Sequence, residues 1–168
     1  YGQTETYPTI TAGWTSDRGS LLTETIGQPI PHIEVAILSP SDNSICGIDE
    51  QGEICMRGYN QMAGYNDNPQ ATAETIDKDG WLHTGDLGTM GANGYLKITG
   101  RVKEMIIRGG ENLFPAEIEA ALLEHPAIAE VACAGVPDEK WGEIVAAFLR
   151  VADGFAHPSD HELKVFIR

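Results

Sequence analysis

Cysteine is scarce: Cys46, Cys55 and Cys133 are the whole complement, and no C-x-x-C pair occurs. The odd count and the spacing argue against a disulfide framework and against a zinc ribbon. Reduced, mostly buried thiols in a cytoplasmic protein are the expectation. Long apolar runs are also missing. None approaches the ~18 residues that a membrane-spanning helix requires, so no transmembrane segment is predicted. No signal-peptide pattern is visible. Basic residues are few, 11 Lys and Arg against 25 Asp and Glu, which leaves a formal charge of −14. A surface of that sign repels nucleic acid and anionic membranes, so neither is an expected partner. Any bound anion would need locally placed cations or backbone amides. The chain has no internal repeat, no low-complexity tract, and no Ser/His/Asp or Cys/His constellation that would support covalent catalysis. Glycine is abundant at 19 residues and apolar content is ordinary at 42%, which indicates an ordered, turn-rich globular protein. A chain of 168 residues can bury a core as one domain or as two.

Residues 1–6 (YGQTET) are polar behind an aromatic, and alone they read equally well as a solvated loop. The spacing of Pro8, Gly13, Gly19, Gly27, Pro29 and Pro31 predicts loop over residues 7–32. Ile33, Val35 and Ile37 alternate on one face of a predicted strand, and residues 53–57 (EICMR) form a second, joined to it as an antiparallel hairpin. Asn68-Pro69 reads as an N-cap followed by proline at the first helical position, opening a short helix through Ile76. Asn93-Gly94 is a hairpin-turn signal between a strand ending near Met90 and the alternating Tyr95–Thr99. Pro115 opens a helix with Glu117 and Glu119 near its positive end and Ile118, Ala121 and Leu122 as its apolar stripe. Residues 128–136 and 143–151 are strand candidates, with Pro137-Asp138 beginning the turn between them. Ser159-x-x-Glu162 is a capping box before a last helix.

The stretch from Trp81 to Glu119 organises the rest. A polar turn, Thr84-Gly85-Asp86, is followed by a strand ending in Gly100-Arg101, a charged joint at Val102-Lys103-Glu104, and a Gly109-Gly110 loop. Asp86 and Arg101 lie fifteen residues apart at the edges of strand-like segments, so they could meet at one rim of a sheet and hold a ligand. An aspartate in such a turn can accept a hydroxyl on each oxygen, which suits a vicinal diol. A purely structural Asp, an ordinary surface Lys103 and a tight Gly-Gly turn are the plain alternatives. His83 fits a half-buried residue beside Trp81 as well as it fits a base.

In order, YGQTE, HTGD and GRVKEMIIRGGEN resemble the motifs of the acyl-adenylate-forming enzymes, the superfamily of acyl-CoA synthetases, peptide-synthetase adenylation domains and beetle luciferases. Fatty-acyl-CoA ligases are the most similar in flavour. The resemblance implies an α+β chain: a distorted antiparallel β-barrel subdomain closing a large N-terminal domain over residues 1–101, a hinge at 102–104, and a small, truncated α+β lobe over 105–168. It implies ATP, Mg²⁺ and CoA as the small molecules involved, with a carboxylic acid as substrate, medium- or long-chain fatty acids favoured and an aryl acid as the competitor. By the same resemblance Tyr1 packs on adenine, Thr4 contacts phosphate, Glu5 helps to hold Mg²⁺, and Gly2 borders the acyl pocket. Asp86 and Arg101 take the ribose and phosphate side, Lys103 is the hinge residue, and Gly109 and Gly110 line the pantetheine tunnel.

The family's Gly/Ser/Thr-rich, lysine-bearing phosphate loop and its C-terminal adenylation lysine are absent from the 168 residues, and Lys164 does not match the latter's context. The chain begins at Tyr1, inside a motif. A fragment that is inactive alone is therefore expected, with cut surfaces that could favour homo-oligomers. A non-catalytic nucleotide-binding relative and a plain interaction module are the other functional classes.

Overall fold

The computed structural model describes residues 1–167. The chain forms two compact units, Tyr1–Val102 and Lys103–Arg168, and the division falls within one 3-10 turn, Val102–Glu104. Among the described residues the class is α+β, with antiparallel pairing throughout.

The first unit opens with a 3-10 turn at Thr4–Thr6. A small ribbon of β1 (Thr11–Ala12) on β2 (Gln28–Pro29) follows, with the one-turn helix α1 (Ser20–Thr23) between its strands. Residues 7–32 thus carry slightly more regular structure than their Pro and Gly spacing predicts. Side-chain bonds to backbone hold the segment. The buried Asn60 amide donates to Thr6 O at 2.8 Å and Thr9 O at 2.6 Å, and Thr6, Ile10 and Thr11 are all inside.

The main sheet runs in the order β3 (Ile33–Leu38), β4 (Gly52–Gly58), β5 (Leu82–Met90), β6 (Leu96–Arg101). It is open, with β3 and β6 as edges, so the barrel-like element takes the form of a meander without closure. β4 is buried on both faces. Ile54 and Met56 pack with Ile37, Leu96, Ile10 and Leu82. Cys55, on the other face, packs with Ala36, Leu38 and Trp81. Trp81 covers that second face, which is why Ala36 and Leu38 are buried although strict alternation assigns only Ile33, Val35 and Ile37 to the core. Each large apolar side chain so buried contributes about 1.5–3 kcal/mol. Cys55 is the one buried thiol; Cys46 and Cys133 are only partly covered, which corrects the expectation of mostly buried cysteines. α2 (Pro69–Thr75) joins β4 to β5, with the Asn68 side chain accepting from Ala71 N at 3.0 Å as an N-cap.

β5 is not a plain strand. Its register on β4 passes from Cys55↔His83 to Glu53↔Leu87, so Thr84, Gly85 and Asp86 bulge out of the ladder. The predicted polar turn is therefore a bulge inside a strand.

In the second unit, β7 (Ile106–Arg108) and β8 (Glu111–Leu113) form a hairpin closed by Gly109 and Gly110, at φ +61° and +91°. Two positive φ values in a two-residue loop define a type I′ turn, which twists with its strands. β8 is not anticipated by the sequence pattern, which gives this segment as loop. β9 (Ile128–Asp138) and β10 (Gly142–Val151) complete a sheet ordered β8-β7-β10-β9. β9 continues through Pro137, past its predicted end, because it is an edge strand and proline's missing donor costs nothing on that side. α3 (Pro115–Leu123) and α4 (Asp160–Phe166) contribute Leu122 and Leu163 to a core with Ile128, and Ser159 Oγ accepts from Glu162 N at 3.3 Å to cap α4. No helix among the described residues is long and apolar enough to cross a membrane.

Candidate functional site

Asp86 and Arg101 are direct partners across β5 and β6. Arg101 Nε lies 3.1 Å from Asp86 Oδ1, while the Tyr1 hydroxyl donates to Asp86 Oδ2 at 2.7 Å. Residues 1, 86 and 101 thus meet at one rim of the main sheet. The Asp86 carboxylate is largely buried, with its side chain 11% exposed against 55% for Arg101. A carboxylate so placed needs hydrogen-bonding partners, and it has one on each oxygen. Each oxygen retains a second lone pair, so a ligand hydroxyl can be added without expelling either partner.

Tyr1 packs against two core clusters of the first unit, Ile10–Met56–Leu82 and Ile37–Ile54–Leu96. Burial, reinforced by the Asp86 carboxylate, pushes its phenol well above the ordinary tyrosine range, so it remains a donor at any physiological pH. Glu5 points elsewhere on the same loop, where its Oε1 accepts from the Tyr65 hydroxyl at 2.9 Å. Thr4 is exposed. Gly2 is tightly confined: a Cβ there would collide with the Pro8 carbonyl and approach Thr9 Cα to 2.8 Å. Packing of the loop on itself is therefore one physical reason for glycine at that position.

Lys103, Gly109 and Gly110 belong to the second unit. Lys103 is exposed in the Val102–Glu104 turn. Beside the Gly109-Gly110 turn, Trp141 carries Arg108 at 4.6 Å and Lys140 at 4.7 Å from its ring centroid. A Cβ on Gly109 would come within 2.6 Å of that ring. Trp141 and its two cations are not visible in the sequence, because cation–aromatic pairing has no local sequence period.

Beneath the bulge lies a buried polar chain that the sequence also hides. Glu53 is 8% exposed, and its two oxygens take Gly85 N at 2.8 Å and His83 Nδ1 at 2.7 Å. His83 Nε2 faces Asp77 Oδ2 at 3.5 Å, and Cys55 Sγ lies 3.5 Å from Nδ1. The hydrogen bond to Glu53 raises the His83 pKa, aided by the Coulombic pull of Glu53 and Asp77, and outweighs burial, which lowers it. A raised histidine pKa stabilises the folded state fully below the unfolded value, near about 6.5, and the contribution is lost as pH rises through the folded value. The first unit is accordingly expected to lose melting temperature between about pH 6 and pH 9 by more than a His83→Gln variant does, and calorimetry of both proteins checks it.

Residues 1–66 match the family described as AMP-binding enzyme, and residues 117–168 match the AMP-binding enzyme C-terminal domain. The candidate acyl-CoA synthetase YngI of Bacillus subtilis (strain 168) is 46% identical over 168 residues, covering 100% of this chain and 30% of YngI. The mitochondrial medium-chain acyl-CoA ligase ACSF2 of Homo sapiens is 40% identical, again over 100% of this chain and 27% of its own length. The o-succinylbenzoate CoA synthetase MenE of Bacillus subtilis, solved with its acyl-adenylate intermediate, superposes with a TM-score of 0.74 at 36% identity, covering 99% of this chain and 33% of MenE. The chain spans about 30% of the length of the curated relatives it matches. With both family matches in the expected order and acyl-CoA synthetase relatives aligned along its whole length, the chain belongs to the AMP-binding, acyl-adenylate-forming enzyme family.

Proposed function

We propose that this chain carries the ribose grip and the hinge of an ATP-dependent acid–thiol ligase. In the full-length protein a carboxylate attacks the α-phosphorus of ATP, expelling pyrophosphate and forming an acyl-adenylate. The thiol of CoA then attacks the acyl carbon and AMP leaves. Catalysis of this kind is positioning and charge neutralisation, and no covalent intermediate on a side chain is needed. The carrying observation is the meeting of Tyr1, Asp86 and Arg101 on one rim, with the Asp86 carboxylate desolvated and its lone pairs only half used.

The Asp86 oxygens would accept the two ribose hydroxyls. The Tyr1 ring would take the adenine, and Arg101 the phosphate side. Thr4 and Glu5 would face the phosphates, and the Glu5 carboxylate, which among the described residues accepts from a neutral tyrosine hydroxyl, is a hard oxygen donor suited to Mg²⁺. Bound Mg²⁺ would supply Lewis-acid neutralisation of phosphate charge. Lys103, the exposed first residue of the second unit, would act as the hinge residue. Gly109 and Gly110 would border the pantetheine arm, with Arg108, Lys140 and the Trp141 ring as the local cations and aromatic face for an anionic CoA. A medium- or long-chain fatty acid is the substrate class we favour, in keeping with the acyl-CoA ligase relatives.

ATP–pyrophosphate exchange by the full-length protein against a panel of carboxylic acids tests the reading, with the 168-residue chain as a control. Exchange with one acid class by the full-length protein alone is expected. Exchange with no acid would favour a non-catalytic nucleotide binder. Gly2 offers a finer test. If close packing on Pro8 is what fixes glycine, Gly2→Ala lowers exchange with every acid alike, by roughly tenfold or more through displacement of the Tyr1 loop. If the position only borders the acyl pocket, long acids are lost and short ones retained.

A further inference from the structure

We propose that Glu53 and His83 are positioning residues for nucleotide binding, stapling the β5 bulge so that Asp86 stands at its working place. The proposal rests on the reading of Asp86 as the ribose grip. Bulging removes the β4 partners of residues 84–86, while Asp86 keeps Arg101 on β6, and side chains replace the lost bonds. Thr84 Oγ1 donates to Ile54 O at 2.7 Å and accepts from Asp86 N at 3.1 Å. Gly85, at φ +75° with open space where a Cβ would lie, is glycine for its backbone conformation and not for lack of room. Its N–H goes to Glu53 Oε1, and the other oxygen of the same carboxylate goes to His83.

Glu53 therefore clasps β5 at residues 83 and 85, immediately before Asp86. The clasp is stiff because it is buried and anchored at its far end. Asp77 Oδ1 accepts from Trp81 N at 2.8 Å and Asp79 N at 2.9 Å, which fixes the carboxylate that faces His83 Nε2. Asp77 keeps a lowered pKa: burial pulls it up, and the N–H groups of Trp81 and Asp79 with the imidazole outweigh that pull. The line runs carboxylate, imidazole, carboxylate, backbone N–H, each group bonded or facing the next. The remaining neighbour is Cys55, whose thiol burial keeps protonated.

Glu53, Cys55 and His83 place their donor atoms within 4.8 Å of one another, as metal ligands would. Glu53 Oε2 and His83 Nδ1 are bonded to each other at 2.7 Å, however, so a cation would have to replace that hydrogen bond. The positioning role accounts for the whole set without an ion. None of these side chains reaches the rim where Asp86 meets Tyr1 and Arg101, so their effect passes through the backbone of the bulge. A displacement of about 1 Å in such a support is enough to weaken a hydrogen-bonding grip roughly a hundredfold.

The test uses the full-length protein with Glu53→Leu, Glu53→Gln and Asp86→Ala, reading the KM for ATP, the KM for the acid and the melting temperature. Glu53→Leu is expected to raise the ATP KM about tenfold or more and leave the acid KM within about twofold. Glu53→Gln keeps a carbonyl for Gly85 N–H and presents an NH₂ to His83 Nδ1, which accepts it in the neutral imidazole whose proton sits on Nε2 towards Asp77, so its ATP KM is expected within about threefold of the wild type. Where Glu53→Leu does not fold, His83→Ala, which cuts one end of the clasp, is expected to raise the ATP KM alone by about threefold or more. If Glu53→Leu or its substitute leaves the ATP KM unchanged while Asp86→Ala raises it, the positioning role is wrong. It is equally wrong if both KM values and the melting temperature move together and Glu53→Gln gives no rescue. If Asp86→Ala itself has no effect on the ATP KM, the ribose reading fails first and the positioning role falls with it.

Discussion

Asp86→Ala in the full-length protein is expected to raise the KM for ATP by about 10²–10³-fold with a much smaller change in kcat. Hydrogen bonds to a charged acceptor contribute about 1.5–3 kcal/mol each, so two ribose hydroxyls on one carboxylate give about 3–6 kcal/mol, and the lower part of that range corresponds to the stated rise. The ribose does not change during acyl transfer, so this binding is uniform between ground and transition states and is lost as KM. Asp86→Asn is milder, since an amide keeps one acceptor and turns the other side into a donor, and an intermediate rise of about tenfold is expected. The alanine variant also leaves the Tyr1 hydroxyl and Arg101 without their present partner. Arg101 is half exposed and water replaces the lost contact, so the fold is expected to tolerate the change.

Ile54→Ala is the change expected to cost the fold most. Ile54 is fully buried in β4, the strand covered on both faces, and it packs with Ile37 and Leu96 in the cluster that also seats Tyr1. Truncating a buried isoleucine destabilises by about 2–5 kcal/mol, the spread depending on how far the neighbours collapse into the cavity. Against total stabilities of about 5–15 kcal/mol, that is a large share. Urea unfolding of the full-length variant and wild type, read by tryptophan fluorescence, checks it. A second effect follows from Tyr1: a cavity beside its ring loosens the donor to Asp86, so the ATP KM is expected to rise as well. A loss of stability under about 1 kcal/mol would mean that the first unit's core lies elsewhere.

The fold is most legible in the sequence where one local rule decides. Asn68-Pro69 and Ser159 mark helix starts through a cap that a few residues complete, and both helices begin there. Asp86 and Arg101 can be placed on one rim because strand length and the Asn93-Gly94 turn bring the two ends together. Other features stay hidden because their partners are distant in the chain or carry no period. Glu53 reads as an ordinary polar residue at the start of a strand until Gly85, 32 residues on, turns its N–H towards it. The bulge in β5 looks like a turn, because Thr-Gly-Asp is turn chemistry and a bulge uses the same residues. β8 escapes notice because Glu-Asn-Leu has no strand signature of its own and is a strand only through the I′ turn that folds it onto β7. The fit of Gly2 against Pro8 is a matter of three-dimensional packing that no sequence pattern encodes.

Whether Asp86 holds the ribose diol is decided by the ratio of KM for 2′,3′-dideoxy-ATP to KM for ATP, taken in the wild-type full-length protein and in Asp86→Ala. A grip on the diol predicts a wild-type ratio of about 10² that collapses to within about threefold in the variant, since removing either partner removes the same bonds. An equal ratio in both proteins would refute the grip and place the recognition of the sugar elsewhere.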